Sequence, residues 1–493
     1  VLRLLPSLFV PYDDDHGLAA DHARVVADQL SRVYYGAQRQ WCDEHGLALT
    51  GHPSAPDELT ALDHFSWPGQ DAVWRWVLPG PTALHGRESA TARTAASAAS
   101  ARGIRTVLTE ALGAYGWRLT MDEAKWLLDW HLVRGTTTFV LHAFFESVRG
   151  NRAFESEPDL GLHNAWWPHL DALTAHLRRA VMVLGSLTPT AEVAVVVPDD
   201  RAPVEEVAVL YEHQVTFDYL TPQQWRTVGD RYRVTTVIPA ATIDPIWDEI
   251  REAGPARVLD PAGPAWWTEL TDEQVRVREG RREDLRLGRW RDAEDRDWLM
   301  LVNEGEQSLS VDLGDRTGEL WDLWTGQRWQ VDGPYELGRR CSVVVAPAGA
   351  SSTPPAVRAT PAGLPPGPLG LTSWQAHRGD GQAWTGPAIG DWTTVADLET
   401  WSGSVRYRSV VELAEAPSDP LVLDLGTVGD LARVWVNGEV VADLAWAPYR
   451  SEVPATCWRS GENVVEVLVS NSSANAYEGA MRPSGLIGPV TLG

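Results

Sequence analysis

The chain has 493 residues, 44% of them apolar and 22% charged, with a formal net charge of −25. That length implies several domains with real cores. The acidity excludes nucleic acid and anionic membranes as partners, since both would be repelled, and neutral substrates fit better.

Residues 1–186 alternate helix and strand. A helical stretch over about Asp21–Glu44 leads to a strand at Leu47–Thr50 that ends at Gly51 and His52, and an Ala-rich helix near Ser89–Arg102 leads to the apolar run Ile104–Thr109 followed by Glu110. Thr120 caps the next helix with Glu123 three positions on; Met121, Ala124, Leu128 and Leu132 line its inner face until Gly135 stops it. The run Thr136–His142, a long loop and a helix over about Trp167–Leu184 complete three strand–helix units. A closed barrel needs eight, so the expectation is the C-terminal part of a TIM-like (β/α)8 barrel.

From Ala191 the runs Val193–Val197, Val215–Leu220, Val234–Ile238 and Arg257–Leu259 alternate with helical segments, predicting a flavodoxin-like α/β domain over 187–285. A small β-sandwich is expected over 286–350, a Pro-, Ala- and Gly-rich linker over 351–368, and a second sandwich over 369–493.

Glu110 and His142 each stand at the carboxyl end of an apolar run, where a β/α barrel presents its chemistry. Glu110 reads as a general base or nucleophile, against a carboxylate that caps the following helix or pairs with Arg105 or Arg118. His52 and His142 read as groups orienting a hydroxyl or water, against histidines satisfied by a carbonyl. The segment Trp67–Trp74, read as a loop, offers Asp71 between indoles for hydroxyl recognition; the alternative is a rim turn with Asp71 as a helix cap. Trp166 and Trp167 form a stacking wall or anchor the last helix. The 25 Trp against 7 Phe fit such stacking at a minority of positions and sandwich cores at the rest.

Asp13–Asp15 reads as a solvated loop, and no metal site or cofactor is expected. Cys42, Cys341 and Cys457 have no metal or disulfide spacing. No run is long enough to span a bilayer and no signal peptide is visible, so a soluble protein is expected, cytoplasmic or secreted. Glycosidic cleavage also needs an acid, and Asp57, Glu58, Glu88 and Glu146 are the nearby candidates, though none ends a strand.

The segments Leu4–Phe9, Trp41–Leu47, Thr50–His52, Thr109–Ala111, Val133–Gly135 and Leu141–Phe144 resemble glycoside hydrolase family 106, the α-L-rhamnosidase-like enzymes. The layout is more loosely similar to family 42 β-galactosidases. Trp401–Gly403, Asp424–Gly426, Val436–Gly438, Ala447–Tyr449, Gly461–Asn463 and Ser484–Pro489 resemble the galactose-binding-type sandwich of many glycosidases. The resemblance implies an inverting mechanism with Glu110 as base, and a sugar pocket shaped by His52, Trp67, Asp71, His142, Trp166 and Trp167. It places the acid just before the stretch matched by Leu4–Phe9, which implies a fragment that lacks it and is nearly inactive. The family's calcium requirement maps onto no residue here. The alternatives are a retaining β-galactosidase-like hydrolase with Glu110 as nucleophile, and a non-catalytic carbohydrate-binding protein.

Overall fold

The computed structural model describes residues 5–10, 18–198, 200–238, 246–253, 258–259, 266–270, 275–350 and 369–493. Asp13–Asp15, the expected linker 351–368, Leu4 and Arg257 lie outside them. Helices α1 (Leu18–Leu30) and α2 (Gly36–Glu44) run on through a π-helical turn, Ser31–Tyr35. Next come β1 (Thr50–Gly51), β2 (Trp67–Ala72), α3 (Thr91–Ala101), β3 (Leu108–Ala111), α4 (Met121–Val133), β4 (Thr138–Leu141) and α5 (Leu170–Gly185). The four strands form one parallel sheet in the order β1-β2-β3-β4.

This corrects the sequence reading of Trp67–Trp74 as a loop. Pro68 and Gly69 hide a strand because both are rare inside one. Gly69 is required there: a Cβ on it would meet the Gly51 carbonyl oxygen at 2.6 Å, so β1 and β2 pack this closely only with glycine.

One face of the sheet packs on helices. Helix α3 is almost wholly Ala, Ser and Thr, and nine of its residues are buried, because it lies between two sheets. On one side Gln70 of β2 donates to Thr94 Oγ1 at 2.8 Å. On the other, Ser100 Oγ donates to Asp218 at 2.9 Å and the Tyr219 amide donates to Ser97 Oγ at 2.9 Å. Small side chains let both layers approach.

Helix α4 begins with the expected capping box of Thr120 and Glu123. It is buried on every side rather than on one stripe, which corrects the amphipathic reading. Three layers surround it, and its charged residues are buried in pairs.

The α/β domain has a parallel sheet in the order Phe217–Leu220, Val193–Val196, Val234–Val237, Val258–Leu259, the 2-1-3-4 order of a doubly wound sheet. The following sandwich reaches back before its expected first residue, 286. It recruits Thr188–Thr190 as the outer strand of a six-stranded sheet, and Arg276–Glu279 joins its three-stranded sheet. The C-terminal sandwich packs a five-stranded sheet on a four-stranded one around Trp374, Trp392, Tyr407 and the valines of Gly461–Ser470.

Arg134, at the carboxyl end of α4, ties three of these units together. Its guanidinium is 2.5 Å from Glu304, lies 4.2 Å from the Trp130 ring centroid and 4.7 Å from that of Tyr211, and Glu304 also pairs with Arg286 at 2.9 Å. The three charged side chains are all at most 4% exposed.

Candidate active site

Partners in a parallel ladder point to the same face, and Asp71 of β2 stands opposite Glu110 of β3, which stands opposite Val140 of β4. Gln70 and Thr109, one residue earlier, turn into the helical layer and are buried. Asp71 and Glu110 therefore project together from the other face, where Val140 is 50% exposed. Glu110, expected at the carboxyl end of its strand, is the last-but-one residue of β3.

Among the described residues Glu110 forms no ion pair, and Arg118 is engaged with Glu478 at 2.8 Å. Asp71 has one buried carboxyl oxygen without a hydrogen-bond partner. Burial, and then the Glu110 carboxylate, push its pKa up to about 6, and His52 and His142 oppose the rise. All four groups thus feel one another.

His52 is exposed, and its Nδ1 donates to the Pro53 carbonyl at 2.9 Å, which leaves Nε2 as the bare acceptor. His142 is half-buried with an unpartnered Nδ1, and its ring backs on Gly113, where a Cβ would come within 3.3 Å of it.

The loops beyond β2 and β3 hold four non-glycine residues with positive φ: Trp74, Arg75, Leu112 and Ala114. Such conformations persist only where the surroundings fix them. Here the Trp74 amide donates to the Gly113 carbonyl at 3.1 Å, and Arg75 donates to the Tyr115 carbonyl at 3.0 Å and pairs with Glu123. The loop beyond β4 is organised by Asp159, which is fully buried and accepts from the Phe145, Gly161 and His163 amides and from His163 Nδ1. It presents Phe144 and Trp167 edge to face, 6.2 Å apart and 64% and 44% exposed.

Two sequence expectations change. Trp166 is 1% exposed and belongs to the core beneath the sheet, so it anchors the chain rather than forming a wall. Trp67 is exposed but lies four residues before Asp71 along one strand, about 13 Å away at ~3.3 Å per residue, at the amino end of the sheet. It does not flank the carboxylates.

The sequence reading also missed the Asp71–Glu110 pairing and the Phe144 edge. The signal for the first was Gln70-Asp71-Ala72, obscured by the preceding Pro-Gly. Asp57 and Glu58 are held by Arg201 at 3.0 and 3.1 Å. Cavities of about 940 and 690 Å³ lie elsewhere. The carboxylates remain the candidate because they stand in register with each other on the open face of the parallel sheet, beside two histidines.

All three cysteines are free. Among the described residues no group of three metal-ligating side chains converges, and no helix is long and apolar enough to cross a membrane.

A pH prediction follows. Asp71 has its pKa raised above the unfolded value of 3.8, so its contribution to stability is present below about pH 4 and lost as pH rises through about 6. Asp71→Asn should therefore gain stability relative to the parent over pH 4–6, by a few °C in Tm, and the difference should stay level above that. Asp430, also pushed up to about 6 by burial, titrates in both proteins and cancels. Parallel melting curves across pH 4–8 test this; a constant offset throughout would contradict it.

No protein-family description and no curated protein matches the chain. Among solved structures it is similar to a rhamnosidase from Novosphingobium sp. PP1Y, with a TM-score of 0.70 and 19% identity over 96% of this chain and 56% of that one. The chain thus spans little more than half of that protein's length. Likeness to the β-galactosidase Gan42B (TM-score 0.47, 11% identity, 68% of this chain and 69% of that one) and to a β-galactosidase from Bacillus circulans sp. alkalophilus (0.47, 11%, 67% and 68%) is too distant to carry an argument. At such identities the rhamnosidase match establishes shared architecture alone: a mixed α/β fold with several sheets.

Proposed function

We propose that the chain belongs to a glycoside hydrolase of the α-L-rhamnosidase-like type, with Glu110 as the general base that activates water. The observation that carries this reading is the pairing of Glu110 with Asp71 on one open sheet face, flanked by two histidines. The shared fold with a rhamnosidase supports the substrate class. Asp71, protonated below its raised pKa, offers a hydrogen bond to a sugar hydroxyl and keeps a second negative charge out of the site. His52 offers a bare Nε2 to a hydroxyl, and Phe144 and Trp167 supply an apolar rim.

An inverting enzyme holds its two catalytic carboxyls roughly 6.5–9.5 Å apart. Neighbouring strands lie only ~4.8 Å apart, so in this reading Asp71 is not the acid, which comes from another wall. That same spacing favours a second reading, in which Glu110 is the nucleophile of a retaining enzyme and Asp71 its acid, a pair held ~5–5.5 Å apart.

α-L-Rhamnosyl fluoride separates these readings because its leaving group needs no proton. Hydrolysis followed by NMR should release β-L-rhamnose first. Initial release of the α anomer would replace the inverting reading with the retaining one. Absence of turnover alongside saturable binding of rhamnosides would favour a non-catalytic carbohydrate-binding protein.

A further inference from the structure

A second hollow, of about 690 Å³, lies where α4, α5 and the two sandwiches meet, the kind of domain junction at which ligand sites form. Its floor is unusual. Lys125, the only lysine in the chain, is 2% exposed and spends one of its three donors on Asp129, at 2.5 Å, which also accepts from His176 at 2.8 Å. Its ammonium lies 5.4 Å from the Trp446 ring centroid. Ser342, 7% exposed and lining the same hollow, has a hydroxyl with no hydrogen-bond partner.

Two indoles, Trp324 and Trp446, meet at 4.8 Å and 56°, both only partly buried. Trp324 is fixed, because its N–H donates to the Asp443 carbonyl at 3.2 Å and Arg179 holds its own carbonyl at 2.9 Å. The wall carries Asp171, Asp322, Asp443 and Glu452 against Arg179 and Arg450, with Asp171 and Asp443 sharing Arg433, and the buried ammonium is already neutralised by Asp129, so the hollow disfavours an anion. A buried hydroxyl and ammonium with unspent hydrogen-bonding capacity, beside rigid ring faces, match a ligand that is neutral, rich in hydroxyls and apolar on one face.

We propose that this junction binds a short neutral oligosaccharide at a site separate from the Asp71–Glu110 sheet. Trp446 would stack on a sugar ring, and Lys125 and Ser342 would bond its hydroxyls. The ligand class rests on the carbohydrate reading of the sheet; the geometry does not.

The test is calorimetric titration of rutinose, a rhamnosyl-glucose, into the Glu110→Gln protein. Two binding events are expected. Trp446→Ala should weaken one of them about tenfold or more, the loss of one desolvated ring contact, while Trp446→Phe keeps it within about threefold. Asp71→Ala with Glu110→Ala should remove only the other.

Should Trp446→Ala fail to fold, Arg450→Ala with Glu452→Ala, at two exposed positions on the rim, should weaken the same event at least threefold. A single event sensitive to Trp446 would support the junction site while removing the sheet site. Binding unmoved by the Trp446 and rim variants, or no binding of rutinose at all, overturns the proposal.

Discussion

Glu110→Gln is expected to lower kcat for α-L-rhamnosyl fluoride by about 10²–10⁴ with little change in KM, because it removes proton transfer and leaves the amide to fill the same space. The fluoride matters. With a departing group that needs no acid, the rate reports the base alone, so the experiment does not depend on where the acid resides. The fold is expected to survive the substitution, since Glu110 has no ion pair to break among the described residues, Arg118 being engaged with Glu478, and Gln is its isostere. Unchanged melting beside lost turnover would support the assignment; unchanged turnover would end it.

The largest effect on stability is expected at Glu304. Glu304→Gln leaves Arg134 and Arg286 charged, facing each other and almost fully buried, and breaking one partner of a buried pair typically destabilises by ~3–5 kcal/mol. Burial already disfavours the charged form of Arg286, and Glu304 is the first influence that counters it. The informative control replaces all three residues by Met. If desolvation and attraction nearly cancel, the triple variant recovers most of the loss, whereas the single variant does not. Urea unfolding of both proteins checks this, and equal stability of Glu304→Gln and the parent would refute it. Because Arg134 also sits over Tyr211, the α/β domain should loosen along with the sandwich.

The order of architectures was legible in the sequence because each has its own period. The strand over Gly461–Ser470 alternates buried and half-buried residues, and Thr120 with Glu123 marks a helix start by local chemistry alone. Two things were not legible. The strand β2 breaks the compositional rule for strands, since Pro68 and Gly69 occupy it where the ladder leans on its neighbour. With β2 read as a loop, Asp71 lost its register, and the pairing with Glu110 could not be inferred. Burial around α4 was also hidden, because Asp129 and Arg134 find His176 and Glu304 as partners 47 and 170 residues away along the chain. Trp166 and Trp167 show the same limit: identical neighbours in sequence, one entombed and one at the rim.

The alanine-rich helix α3 has a consequence beyond packing. Because one helix serves as floor for the Asp71–Glu110 sheet and as cover for the α/β sheet, neither unit can be excised, shuffled or replaced by a homologous cassette without stripping the other. Any longer side chain at Thr94, against Gln70, or at Ser97, against Tyr219, would wedge the two apart. The boundary between these domains is a shared girder, and recombination of this protein has to treat the pair as one heritable block.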